Sequence, residues 1–249
     1  MQKLVETKHT LSIAEYCLHY RTIGTGTPLV LLHGYGVSGR IWQPTLRYLA
    51  QHHQVFTVDL PGHGYSTYVN PWRLREIAPL LATWLRQLHL PPVALLGQST
   101  GGSIVIHLAA SAPELVERLI LVSSTGVPLQ AGLLRLTIRS VYSFFQPGNG
   151  AYPLALIPDV LIPRPRLFWQ AAREVAHSDF RTELASITMP TLIIWGKHDA
   201  LIPISIGHAL QAALPHARFV ILPNCGHRPM LAEPEVFSKI ILEFLEDEV

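Results

Sequence analysis

Charge is scarce in this chain of 249 residues. Acidic and basic side chains together make up 14% of it, against about a quarter in an average soluble domain. Apolar residues make up 49%, too many for intrinsic disorder, and neither collagen nor coiled coil fits the composition. The 19 basic and 17 acidic residues leave a formal charge of +2, with no basic tract. That balance argues against nucleic acid as a partner. Cysteine is nearly absent: Cys17 and Cys225 are the only two. A disulfide scaffold is not expected, and a reducing compartment is. Long hydrophobic runs are missing too, since none approaches the roughly 18 residues of a membrane span. At the N-terminus, Glu6, Glu15 and His19 interrupt what would have to be the apolar core of a signal peptide. The expectation is a protein of the cytoplasm with no membrane segment.

What the chain has is alternation. Pro28–Leu32, Val55–Leu60, Val93–Leu96, Leu119–Val122, Thr191–Trp195 and Phe219–Leu222 are short, continuous apolar runs bounded by Gly, Pro, Ser or Asp. Such runs suit strands buried on both faces of a parallel sheet. Helical spacing fills the gaps between them. One helix starts near Ser38. A second covers about Leu74 to Leu90, with Pro79 in its first turn or kinking it. A third follows Ser99 and ends before Pro113. Two more begin near Pro203 and Pro234, with the proline in the first turn. Residues 4 to 23 alternate loosely and end in Gly24-Thr25-Gly26, the pattern of an antiparallel edge hairpin. The predicted fold class is α/β, a doubly wound and mostly parallel sheet with helices on both faces. One segment breaks the rhythm: about 65 residues from Thr125 carry six prolines and no clear strand, too many for an ordinary loop. It reads as a helical cap over residues 126–188, inserted into a core made of 1–125 and 189–249.

The strongest local signal is Gly97-Gln98-Ser99-Thr100-Gly101-Gly102, lying directly between a strand and a helix. That context belongs to a nucleophile elbow, in which a strained turn lifts the serine above the sheet at a helix N-terminus. A serine hydroxyl needs a base, and the base needs an orienting acid. In the order Ser, acid, His, the chain offers Asp199 in the loop after Thr191–Trp195 and His227 in the loop after Phe219–Leu222. Both loops lie at the ligand-binding end of an open α/β sheet. Asp59 precedes the serine and Asp159 falls in the insertion, so neither fits that order. His33-Gly34-Tyr35-Gly36 ends the first predicted core strand. A glycine turn there can aim a backbone N–H at the site, and the backbone N–H groups of Tyr35 and Thr100 are assigned to an oxyanion hole. His33 reads as structural rather than as a proton carrier, and Cys225 as a buried, inert thiol.

With these segments in hand the sequence resembles an α/β-hydrolase-fold serine hydrolase. The resemblance rests on His33-Gly34-Tyr35-Gly36, Asp59 to Ser66, Gly97 to Gly102, Gly196-Lys197-His198-Asp199 and Gly226-His227-Arg228-Pro229, in family order over nearly the whole chain. It implies a catalytic triad of Ser99, Asp199 and His227, no cofactor and no metal, and an acyl-enzyme route. It also implies a variable cap where the match is missing. Branches with an aspartate at the elbow, the haloalkane dehalogenases and epoxide hydrolases, are disfavoured by Ser99. Esterases, carbon–carbon bond hydrolases, perhydrolases and acyltransferases share the layout, as does a receptor-like ligand binder with little turnover.

The leading expectation is hydrolysis of a carboxylic ester or related acyl bond of a small, apolar substrate. Gln98, Tyr142, Phe145 and Trp169 are the candidate substrate-binding residues. The insertion is rich in Leu, Ile, Val, Phe and Tyr, which favours an apolar, uncharged acyl group. Arg135, Arg139, Arg164, Arg166 and Arg173 are the rival signal: one of them turned inward would hold a carboxylate or phosphate.

Overall fold

The computed structural model describes residues 5–67, 73–129, 138, 139, 142, 143, 159 and 165–247. The N-terminal hairpin forms as expected from β1 (Thr7–Ile13) and β2 (Tyr16–Ile23), paired antiparallel. The apolar runs become β3 (Pro28–Leu32), β4 (Gln54–Val58), β5 (Val93–Gln98), β6 (Val116–Val122), β7 (Thr191–Gly196) and β8 (Arg218–Leu222). Together they make one sheet in the order β1-β2-β4-β3-β5-β6-β7-β8, antiparallel at β1, β2 and β4 and parallel from β4 onward.

The continuous runs are explained by what covers each face. In β3, Val30 and Leu32 enter the apolar cluster on one side, while Leu29 and Leu31 enter the cluster on the other. None of the four is more than 1% exposed. The β8 run behaves differently. As an edge strand it leaves Arg218 and Ile221 exposed and fully buries only Leu222. Edge position, which a short run does not encode, decides that difference.

The helices fall at the expected places. Ser38 accepts a hydrogen bond from Arg40 N and opens the turn Gly39–Trp42, which leads into α1 (Gln43–Leu49). The second helix, α2 (Leu74–Gln87), buries Ile77, Leu81, Trp84 and Leu85. Pro79 lies inside it, past the first turn. A proline there leaves the Arg75 carbonyl without its helical partner, a cost the sequence pattern alone did not place. Next come α3 (Thr100–Ser111), α4 (Pro165–His177), α5 (Arg181–Leu184), α6 (Ile204–Ala213), α7 (Pro229–Ala232) and α8 (Pro234–Glu246). Pro203 is the N-cap of α6 rather than a first-turn residue, whereas Pro234 opens α8. Of the insertion, residues 126–129, 138, 139, 142, 143, 159 and 165–188 are described; Phe145, Arg135 and Arg164 lie outside the described residues.

Candidate active site

The site is assembled at the C-terminal ends of β3, β5, β6, β7 and β8. Ser99 sits between β5 and α3 with φ +55° and ψ −121°. A non-glycine residue held in this sparsely populated region costs on the order of 1–3 kcal/mol. The surrounding backbone over-determines it. Ser99 N donates to Val122 O at 3.0 Å. The Ser99 carbonyl accepts from Gly102 N, from Thr125 N and from the Thr125 hydroxyl, at 3.0, 3.1 and 3.1 Å. Thr125 thus grips the nucleophile turn with two donors, and Ser103 in turn lies 2.6 Å from its hydroxyl. Sequence reasoning missed Thr125; the polar run Ser123-Ser124-Thr125 straight after an apolar strand is the signal that could have found it. Gly97 is needed on the other side: a methyl group there would lie 2.5 Å from the Gly101 carbonyl.

The candidate acid and base lie in the next two loops, and the backbone stitches those loops together. His198 N donates to Cys225 O at 3.0 Å, and Lys197 N to Leu222 O at 2.9 Å. Trp195 Nε1 donates to Ile202 O at 3.1 Å and folds the acid loop over β7. Within it, Asp199 Oδ1 accepts from Leu201 N and Ile202 N, each at 2.9 Å. That leaves Oδ2 to meet His227 Nδ1 at 2.8 Å. Both residues are buried. With Nδ1 bonded to a carboxylate, Nδ1 carries the proton and Nε2 offers a lone pair. Among the described residues, however, no hydrogen bond joins Ser99 Oγ to His227 Nε2. The group on Nε2 is the Gln98 amide nitrogen, 3.1 Å away. Gln98 is therefore at the site, against the base.

The loop after β3 presses on the serine from the opposite side. A methyl group on Gly34 would sit 2.9 Å from Ser99 Cβ and 2.5 Å from Gln98 Oε1, so only glycine lets the Tyr35 segment approach. Thr100, the other residue assigned to the oxyanion hole, is the first residue of α3, where backbone N–H groups lack helical acceptors. His33 is fully buried and has a fixed tautomer: Nδ1–H donates to Gly34 O at 2.7 Å, and Nε2 accepts from Leu60 N at 2.9 Å. Burial holds it below the ordinary histidine range, against the pull of its bond to Gly34 and the Asp59 charge. It is a structural clasp between the β3 and β4 loops.

Asp59 is structural for a related reason. Its carboxylate accepts from Gly39 N, Tyr65 N and His19 Nδ1, and Arg21 lies 3.6 Å away. Burial alone would raise its pKa. The His19 hydrogen bond, the Arg21 charge and the Gly39 amide outweigh that and bring it down to about 2. Against an ordinary 3.8 this corresponds to roughly 2 kcal/mol of folding stability. Because the folded pKa is depressed, that contribution is complete above about pH 4 and disappears as the pH falls towards 2. Urea midpoints measured from pH 6 to pH 2 are expected to fall less steeply below pH 4 in Asp59→Asn than in the parent chain. The variant also starts about 2 kcal/mol lower at neutral pH. Cys225 is buried and its pKa is pushed up to about 12 by that burial and by the Glu233 carboxylate, so it stays a thiol. Asp159 accepts from the Ser38 hydroxyl at 2.5 Å, with Arg40 at 3.8 Å, and ties the insertion to the loop after β3.

The remaining candidates separate. Tyr142 and Trp169 are exposed by 57% and 55%. Arg173 is exposed and Arg139 half-buried; nothing is described of the Arg166 side chain. The buried arginine next to the base is one that the sequence reading gave no role, Arg228. Its guanidinium donates to Ser143 O and Ser143 Oγ of the insertion at 3.2 and 3.4 Å. Among the described residues no cluster of three or more His, Cys, Asp or Glu side chains could hold a metal ion, and no helix is long and apolar enough to cross a membrane.

Known proteins resemble this chain in sequence and in fold. A family profile described as "Alpha/beta hydrolase family" matches residues 29–240. The pimeloyl-[acyl-carrier protein] methyl ester esterase of Vibrio vulnificus (strain YJ016) is 29% identical over 253 residues, covering 91% of this chain and 97% of its own. The enzyme of the same description from Nitrosomonas europaea is 30% identical over 246 residues, covering 88% and 96%. Among solved structures, an esterase from Exiguobacterium antarcticum superimposes with a TM-score of 0.86 at 20% identity, covering 97% of this chain and all of its own. A bromoperoxidase from Bacillus anthracis does so with 0.84 at 23%, again with 97% and 100% coverage. Those two structures share the fold and differ in described activity, so chemistry must be argued from the site.

Proposed function

The chain belongs to the alpha/beta hydrolase family and is a carboxylic ester hydrolase, and we propose that Ser99, His227 and Asp199 carry its reaction. The observation behind this reading is the Asp199–His227 bond of 2.8 Å beside a serine at φ +55°. Ser99 Oγ attacks the ester carbonyl carbon while His227 Nε2 takes its proton. The carbonyl oxygen becomes an oxyanion facing the Tyr35 and Thr100 amides. The tetrahedral species collapses, the alcohol leaves with the proton from Nε2, and an acyl-serine remains. Water, deprotonated by the same nitrogen, attacks the acyl carbon, and the released acid restores the serine. Asp199 stabilises the imidazolium formed in each half. Labelling with a fluorophosphonate tests this, because the probe reports an activated serine; the label is expected on Ser99 and absent from Ser99→Ala.

For the substrate we propose an ester of an uncharged aliphatic acyl chain. The relatives' description, which names a pimeloyl-[acyl-carrier protein] methyl ester, supports an aliphatic acyl chain, as does the apolar composition of the insertion. Burying four or five such side chains around the chain would contribute several kcal/mol at roughly 25 cal/mol per Å². A terminal carboxylate there would lose its hydration without a partner. In a matched series of p-nitrophenyl esters, kcat/KM is expected to rise with acyl length over a few methylenes. It is expected to fall about tenfold or more when the chain ends in a carboxylate. Preference for the charged ester, lost on replacing Arg139 or Arg228 with Ala, would overturn the apolar assignment. Residues 126–188 serve in this reading as a cap over a core of 1–125 and 189–249, with Tyr142 and Trp169 on the cap. The two free cysteines support a place in the cytoplasm.

A further inference from the structure

We propose that Gln98 is a positioning residue that holds the resting base away from the nucleophile: its carboxamide occupies the His227 lone pair that Ser99 must use. The inference rests on the reading of Ser99 as nucleophile and His227 as base.

The observation is a count of hydrogens and lone pairs. Gln98 Nε2 lies 3.1 Å from His227 Nε2 and 3.3 Å from His227 O. A backbone carbonyl only accepts, so its proximity fixes the nitrogen, not the oxygen, of the carboxamide toward His227. One amide hydrogen goes to the carbonyl and the other to the ring. The ring nitrogen has a single lone pair, because Nδ1–H is committed to Asp199 Oδ2 at 2.8 Å. Ser99 and Gln98 therefore compete for one acceptor. Gln98 holds it here; among the described residues no bond joins Ser99 Oγ to Nε2. The carboxamide has little freedom, since it is 2% exposed and its oxygen packs on Gly34.

The consequence for catalysis follows from what happens to Nε2. Once it takes the serine proton, it becomes an N–H donor facing another N–H donor. The Gln98–Nε2 bond exists with the neutral ring and is lost in the transition state. An interaction that stabilises the ground state alone slows the chemical step. A neutral hydrogen bond of about 0.5–1.5 kcal/mol corresponds to roughly a 2- to 10-fold slower reaction. A substrate that displaces the carboxamide when it binds recovers that factor; a small ester that leaves it in place does not.

The test is the pH dependence of kcat/KM for a small p-nitrophenyl ester in Gln98→Met, which keeps the length and removes both donors. Among the described residues the charged group bonded to the ring is Asp199, at Nδ1, and the guanidinium of the neighbouring Arg228 is directed at Ser143. Neither is altered by the substitution. On the acid side both enzymes start from a protonated ring, which has no bond to Gln98, so the two profiles should coincide. On the plateau the variant should run about 2- to 10-fold faster, and its acid limb should move to higher pH by the logarithm of that factor. Fluorophosphonate labelling should accelerate by the same factor. If Met disturbs the fold, Gln98→Asn, one methylene too short to reach, should show the same pattern. Equal plateaus, or a plateau lowered at every pH with the parent's limb, would overturn the proposal. Ser99→Ala run alongside keeps the two readings apart. Hydrolysis surviving in Ser99→Ala would remove the serine mechanism itself. An inert Ser99→Ala with an unchanged Gln98 profile would remove only the role of Gln98.

Discussion

Ser99→Ala is expected to lower ester hydrolysis by about 10⁴- to 10⁶-fold with little change in the unfolding midpoint, and His227→Ala by a comparable factor. The residues act as one unit, so the double variant should be hardly worse than either single one. The alanine at 99 removes only the hydroxyl. The turn is held by backbone groups, the Val122 carbonyl and the Gly102 and Thr125 amides, and by the Thr125 hydroxyl, all of which remain. Loss of fold in Ser99→Ala would contradict that account. Two losses that multiplied in the double variant would show that the serine and the histidine act in separate steps. The measurement is kcat on one ester for the parent and the three variants, with circular dichroism to confirm folding.

Asp199→Asn should lower kcat by about 10³- to 10⁴-fold although it changes one atom, and the surrounding amides supply the reason. Leu201 N and Ile202 N both donate to Oδ1. An asparagine must keep its oxygen there, because an NH₂ group against two N–H donors leaves all of them unsatisfied. Its nitrogen is then forced to face His227 Nδ1, which becomes an acceptor. The ring proton moves to Nε2, the nitrogen that must accept from Ser99. The base is present but in the wrong tautomer. KM should change little, since Asp199 is buried and bonded to the histidine through Nδ1, the ring nitrogen that does not meet the serine. Near-parental kcat in this variant would mean that the two amides do not dictate the orientation at position 199.

Much of this was legible from local pattern. Continuous apolar runs gave the strands because both faces of a central parallel strand are covered, and β3 was found to the residue. The elbow was legible because Gly97, Ser99 and Gly101 fall between a strand and a helix. Asp199 and His227 were legible because each follows such a strand in the required order. The inert character of Cys225 and the structural role of His33 were also expected, and the buried surroundings of both residues account for them.

What the chain could not announce depends on contacts between residues far apart in sequence. Gln98 and His227 are 129 positions apart, and their bond exists only because β5 and the loop after β8 end at the same edge of the sheet. Arg228 meets Ser143 across 85 positions, and Asp159 meets Ser38 across 121. The exposure of β8 follows from its place at the edge of the strand order, a property of the whole sheet and not of the five residues that form it. The proposed nucleophile, acid and base were thus legible in runs of about six residues, since each depends on a local turn at a strand end. The tertiary structure alone decided which neighbour holds the base's lone pair, because hydrogen-bond competition at one atom is settled by distances that no local pattern carries.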